Sequence, residues 1–353
     1  FEKMLYDNAQ LISLYSEAYK LTRDSEYKRI IEETIRFCNR ELLGSHGAYF
    51  SSLDADSEGE EGKFYTWDNQ ELTALLTEEE YSIASLRFGF DRPANFEGKW
   101  NPHVFMSLGQ IAKTMALDET EVRITLDRAK HKMFEFREQR VHPGRDEKIL
   151  TSWNALMIKG MSIAARYLSQ PEYAISAQHA LDFIQQNLWQ NNRLMATHKD
   201  GKTHLNAYLD DYAYLIEAVL ELLQYEWRSK DIDFACKLAD VLLDQFEDPG
   251  KGGFYFTSND HEALIQRPKP YTDEAIPAGN GVAAYALQRL GYLVGNTQYL
   301  DAAERCLKDA SPTIEQHSYA CMSMLVALEE HKYPVKTVIV RSNTPELASC
   351  REK

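Results

Sequence analysis

The stretch at residues 207–223 constrains this chain most. A polar lead, Leu209-Asp210-Asp211-Tyr212, runs into eleven residues, 213–223, in which only Glu217 and Glu221 interrupt apolar side chains. A helix with almost no wet face persists only where other helices surround it, so this one belongs inside a large all-helical body. The next stretch, 231–246, differs: Asp233, Lys237, Asp240 and Asp244 fall at helical spacing and form one wet stripe. An inner helix followed by an outer helix is therefore the unit. Inner stretches at 8–21, 154–168, 207–223 and 280–294 alternate with outer ones at 25–43, 172–189, 231–246 and 297–310, and 313–330 reads as a last apolar helix.

The leads Asn154, Asp211 and Asn280 recur with a period of roughly sixty residues, too long for tetratricopeptide or armadillo arrays and suited to helical hairpins with elaborate loops. The interval from Asn8 to Asn154 leaves room for one hidden hairpin, although the helices between 68 and 140 take no inner or outer assignment. Six inner helices give an all-α fold, an (α/α)6 toroid, over residues 1–333. Residues 334–353 read as a strand-like tail, and with the start at Phe1-Glu2-Lys3 they suggest a piece of a longer chain. Inner-to-outer connections are short and outer-to-inner ones long, so the long loops and the polar leads should gather on one rim. Small β-hairpins are expected there, one around the acidic turn at residues 54–62 and one at residues 252–257.

A net charge of -15 and a pI near 5.2 argue against nucleic acid or an anionic membrane as partner. No run approaches a membrane span, and no signal peptide is expected. The five cysteines, Cys38, Cys236, Cys306, Cys321 and Cys350, stand singly, which reads as a reduced, cytoplasmic protein.

The rim collects acids and aromatics, a pairing that suits a sugar: ring faces stack on C–H surfaces, and carboxylates bind hydroxyls or move protons. Asp54, Asp56, Asp210 and Asp211 are the candidate acids and bases. Trp67, Trp153, Tyr212 and Tyr271 would stack on the ligand, and Asn154, Asp273 and Asn280 would orient it. Asparagines and aspartates at helix starts also serve as plain N-caps, but one cap needs only one member of Asp210-Asp211. Asp54, Asp56, Glu58 and Gly59 begin like a calcium loop, yet Tyr65 stands where the bidentate glutamate would be, so neither metal nor cofactor is expected. His46, His103, His142, His198, His204 and His261 fall in rim loops, and His317 near the last inner helix, with no evident pair for proton abstraction beside a carbonyl.

Several strings carry a resemblance: Phe1-Glu2-Lys3-Met4-Leu5-Tyr6-Asp7-Asn8, Asp54-Ala55-Asp56-Ser57-Glu58-Gly59-Glu60-Glu61-Gly62, Asn95-Phe96-Glu97-Gly98-Lys99, Leu150-Thr151-Ser152-Trp153-Asn154 and Tyr208-Leu209-Asp210-Asp211-Tyr212-Ala213. Over most of its length the chain resembles the helical part of the YyaL and spermatogenesis-associated protein family. The resemblance implies a six-hairpin toroid related to N-acylglucosamine 2-epimerases and six-hairpin glycosidases, with a thioredoxin-like domain as partner in a longer chain. The chain departs from the family pattern at Asp146-Glu147 and at residues 277–281, and the epimerase histidines have no matching pair. The expected function is that of a carbohydrate-active enzyme, glycoside hydrolase-like or sugar epimerase-like. The alternative is a non-catalytic binding or scaffold domain working with the thioredoxin-like partner.

Overall fold

The computed structural model describes residues 1–262, 264–336 and 338. Its helices are α1 (Leu5–Thr22), α2 (Ser25–Glu41), α3 (Asn69–Leu75), α4 (Glu78–Phe88), α5 (Leu108–Met115), α6 (Glu119–Arg137), α7 (Thr151–Leu168), α8 (Pro171–Phe183), α9 (Leu209–Leu223), α10 (Ser229–Phe246), α11 (Gly279–Val294), α12 (Thr297–His317) and α13 (Met322–Lys332). They fall into two compact units: Phe1–Lys3 with Ser52–Asp146, and Met4–Ser51 with the described residues from Glu147 onward. Most of the tail read at 334–353 lies outside the described residues.

In the second unit α1, α7, α9, α11 and α13 pack side by side in that order, and α2, α8, α10 and α12 back the first four. The inner helix α9 is buried almost throughout, as its composition demands. Three of the four inner helices that lead to an outer one do so through one repeated turn. Arg23, Ser169 and Gly295 end α1, α7 and α11 in the left-handed conformation, which peels the chain away and exposes the next N-cap, Asp24, Gln170 or Asn296.

Because α1 packs directly on α7, no hidden inner helix stands between them, contrary to the sequence expectation. Gly160 makes the approach possible: a Cβ there would lie 2.7 Å from the Ala9 carbonyl oxygen. The loops tell the same story. After α2, Leu43 bridges Tyr49; after α8, Trp189 pairs with Leu194; after α10, Glu247 bridges Phe254. In each case the next inner helix grips the returning residue. The Asn154 amide accepts from the Tyr49 N–H at 2.8 Å and donates to its carbonyl at 2.9 Å. Asn280 does the same to Phe254 at 2.8 and 2.9 Å, and the Tyr212 hydroxyl accepts from the Leu194 N–H at 2.9 Å. Residues 52–146 are thus an insertion in one outer-to-inner loop, between α2 and α7.

Two further boundaries differ from expectation. The last inner helix begins at Met322 rather than near 313, because α12 continues through Pro312 to His317. Residues 190–208 are not a plain loop. Arg193–Lys199 pairs antiparallel with Lys202–Asn206 around Asp200-Gly201, both at positive φ as a two-residue hairpin turn requires.

In the first unit each of α3 to α6 starts with a capping box, Asp68 with Glu71, Thr77 with Glu80, Ser107 with Gln110 and Asp118 with Glu121. Such boxes satisfy the first free N–H groups locally, with no partner from another helix. Asp56–Ser57 and Glu60–Glu61 form a hairpin inside the acidic turn, turning at Glu58-Gly59, rather than the expected hairpin around it.

Candidate functional site

The four candidate acids fall in different units and different surroundings. Asp54 and Asp56 are exposed, and the Asp54 carboxylate accepts from the Asp56 backbone N–H at 3.2 Å, so it shapes its own turn. Asp210 and Asp211 open α9 in the second unit.

Asp211 is 3% exposed. Its Oδ1 accepts from the Ser152 N–H and its Oδ2 from the Tyr208 N–H, each at 2.8 Å. One carboxylate thus caps α9 and ties it to the first turn of α7, satisfying donors that both helix starts would otherwise leave open. Burial pushes its pKa up to about 6, against the pull of these N–H groups, so it is ionised at neutral pH. Asp210 beside it has no such anchoring. Its Oδ1 is buried and has no hydrogen-bond partner among the described residues. That oxygen presses against the start of α11, where a Cβ on Gly279 would stand 2.1 Å from it. Burial first, and the Asp211 charge second, push the Asp210 pKa up to about 7. A carboxyl group that is half protonated near neutrality and lacks a partner is poised to give or take a proton.

The other residues divide sharply. Trp153 is half-buried on the first turn of α7, next to Ser152, with its ring against the edge of Tyr6 at 4.8 Å. Asp273 accepts from Ala278 N–H at 2.8 Å and Ser323 N–H at 2.9 Å, tying the lead of α11 to α13 much as Asp211 ties α9 to α7. Gln10 on α1 donates to the Ala275 carbonyl at 3.0 Å, drawing the same loop toward α1. By contrast, Asn154, Asn280 and Tyr212 are all 0% exposed and spend their polar atoms on the loop clamps. Their polar atoms hold loops, where the sequence reading has Asn154 and Asn280 orient a ligand and Tyr212 stack on it. Tyr271 donates its hydroxyl to Asp309, within a group that also holds Lys269 and Asp248. Trp67 is 3% exposed in the apolar core of the first unit, where its backbone pairs with Trp100. A large aromatic and a buried amide look the same in sequence whether they face a ligand or a core.

Sequence reasoning missed an ionic group two turns deeper on α9. Asp210, Tyr214, Glu217 and Glu221 recur at steps of four, three and four, hence on one face. Lys159 of α7 pairs with Glu217 at 2.7 Å. Glu221 holds Arg166 of α7 at 2.5 Å and Arg289 of α11 at 2.6 Å. Burial alone would raise the Glu221 pKa, but the two guanidiniums hold it down to about 2. The spacing of Glu217 and Glu221 was the available signal, since two acids one turn apart in an apolar helix demand partners. His46 and His198 also come together: their rings lie 4.7 and 5.3 Å from that of Phe183, and burial holds both imidazoles below their usual pKa.

Among the described residues no group of three or more histidine, cysteine, aspartate or glutamate side chains could hold a metal ion, and no helix is long and apolar enough to cross a membrane.

No family model matches the chain. Curated homologues do: spermatogenesis-associated protein 20 of Homo sapiens is 28% identical over 376 residues, covering 96% of this chain and 48% of the relative. The Mus musculus protein of the same name is 26% identical over the same shares. An uncharacterised protein of Caenorhabditis elegans is 27% identical over 99% of this chain and 52% of its own. The chain spans about half the length of these relatives. The resemblance read from the sequence strings holds. Among solved structures, a sugar epimerase from a ruminal bacterium aligns over 88% of this chain and 60% of its own, with a TM-score of 0.54 and 13% identity. A cellobiose 2-epimerase from Bacillus thermoamylovorans gives 0.54 and 11% over 88% and 61%. A GH76 α-mannanase of Bacteroides thetaiotaomicron gives 0.53 and 10% over 92% and 68%. These likenesses show the fold class expected from the sequence, that of (α/α)6 toroids of helical hairpins, of which the described residues supply five inner helices, α1, α7, α9, α11 and α13, rather than six.

Proposed function

We propose that this chain carries the sugar-handling site of a carbohydrate-active enzyme, with Asp210 as its proton-transfer residue. The observation that carries the proposal is the buried, partnerless oxygen of Asp210, on a carboxyl whose pKa lies at about 7. Ionised at neutral pH, Asp211 is anchored to two helix starts and acts as a positioning residue. It fixes the turn that presents Asp210, and its charge disfavours a second charge beside it. Protonated Asp210 can donate to a glycosidic or ring oxygen, and the carboxylate left behind can take the proton back, the cycle that glycosidic and epimerising chemistry both need. Trp153, on the first turn of α7 with its ring against Tyr6 of α1, offers a partly exposed indole for the C–H face of a sugar ring. Three proteins of similar fold, two epimerases and a mannanase, act on sugars, which supports the choice of ligand.

The test is proton NMR of the protein with a panel of mono- and disaccharides in deuterated water. New anomeric signals would mark hydrolysis, and deuterium at carbon two would mark epimerisation. The expected result is turnover of at least one sugar, reduced by about 10²-fold or more in Asp210→Asn, the usual worth of a general acid or base. Saccharides that bind without turnover, or an Asp210→Asn variant that turns over at the wild-type rate, would overturn the proposal and favour a binding domain.

A further inference from the structure

The first unit holds a cavity of about 440 Å³, well apart in sequence from the α9 carboxylates. Its volume lies within the range of small-molecule sites, roughly 300–1,000 Å³. Three cations line it, Lys3, Lys130 and Arg137, together with aromatic rings including Tyr65, Trp67 and Phe134. Its lining includes no carboxylate among the described residues, although the chain as a whole carries a charge of -15.

Placement follows from the helix. Lys130, Met133, Phe134 and Arg137 recur at steps of three, one and three on α6, so one stripe of that helix forms a wall that is both apolar and basic. The Lys3 ammonium lies 4.1 Å from the Tyr65 ring centroid. The Arg137 guanidinium sits among the rings of Phe64, Phe134 and Tyr65 at 5.0, 5.2 and 5.7 Å. Arg137 also pairs with Glu138 at 3.1 Å, but its Nε is buried with no hydrogen-bond partner among the described residues. Burial, and then the Arg137 charge, depress the Lys3 pKa. Arg137 keeps Glu138 and the Lys3 ammonium keeps the Phe1 carbonyl, but two like charges in a ring-walled cavity still repel, and an anion between them would offset that repulsion. Ring faces would then take up the apolar body that carries the anion.

We propose that this cavity is a binding site for a small organic anion, a carboxylate or phosphate carried on an aromatic or apolar ring. Lys3 and Arg137 grip the anionic group, and Tyr65 and Phe134 hold the ring. This site is separate from the one at Asp210 and does not depend on it.

Calorimetric titration tests it with benzoate and phenyl phosphate as ring anions, benzyl alcohol as the neutral counterpart, and acetate as the anion without a ring. The ring anions are expected to bind with a Kd of about 1 mM or tighter, and the two controls about tenfold or more weaker. Arg137→Gln and, independently, Lys3→Gln should each weaken the ring anions about tenfold, with melting curves confirming that both variants fold. Asp210→Asn should leave this binding unchanged. Benzyl alcohol binding as well as benzoate would reduce the cavity to an apolar gap. Acetate binding as well would reduce it to surface charge. Undiminished binding to both variants would place the ligand elsewhere. Each of these three results, or no binding of either ring anion, overturns the proposal.

Discussion

Two acidic pairs, Asp54 with Asp56 and Asp210 with Asp211, look alike in sequence and part company in their surroundings. The first sits on a two-residue hairpin open to water, where a carboxylate is solvated and has only its own backbone to hold. The second sits where α9 starts, against the first turn of α7 and the glycine that opens α11. There one carboxylate is consumed in joining helices, and one oxygen of its neighbour is buried without a hydrogen-bond partner among the described residues. The difference lies in what three helix ends bring together, and residue type alone says nothing about it.

The largest effect in this comparison should come from Asp211→Ala. It leaves the Ser152 and Tyr208 N–H groups without their acceptor in a buried seam, and a loss of about 2–4 kcal/mol in denaturant unfolding is expected. A loss below about 0.5 kcal/mol would make Asp211 no different from a solvated surface acid.

Next comes pH. A folded-state Asp210 with a pKa of about 7 binds its proton more tightly than an unfolded aspartate near 3.9. Between those values the native state holds more protons, so this contribution to stability is full below about pH 4 and is lost as pH rises to about 7. Unfolding between pH 5 and 8 should show a fall on the order of 1–3 kcal/mol from this group, and Asp210→Asn should remove that part of the slope. An identical slope in the variant would mean that Asp210 titrates like a surface acid.

The smallest effect belongs to the exposed pair. Asp54→Asn with Asp56→Asn should change stability by no more than about 0.5 kcal/mol, and sugar turnover not at all. Loss of turnover in this double variant would erase the distinction between the pairs.

Much of the fold was legible in the sequence because inner helices cannot hide their composition. The run after Asp211 has no wet face, and it is buried nearly throughout. The first unit was harder to read, although its four capping boxes stand openly in the sequence. Local caps show where a helix begins but not which helix it packs against. The insertion was also illegible. Gly160 permits α1 to meet α7 across more than a hundred residues of chain, and one glycine in an apolar helix announces nothing of the kind. At the site, Asp210-Asp211 was readable because two acids exceed what one cap uses. Asn154 and Asn280 clamp loops, and in sequence a loop clamp and a ligand-orienting amide call for the same group. The Asp200-Gly201 pair stands openly in the sequence as the turn between the two strands it joins.

The most direct test of the difference between the pairs is carbon-13 NMR titration of the aspartate carboxyl groups, comparing the wild type with Asp210→Asn. The expected result is a carboxyl resonance that titrates near pH 7 and vanishes in the variant, while the Asp54 and Asp56 resonances are unaffected by the substitution. If no carboxyl group titrates above about pH 5, close to the ordinary aspartate range, Asp210 is not held protonated and the proposed proton-transfer role fails.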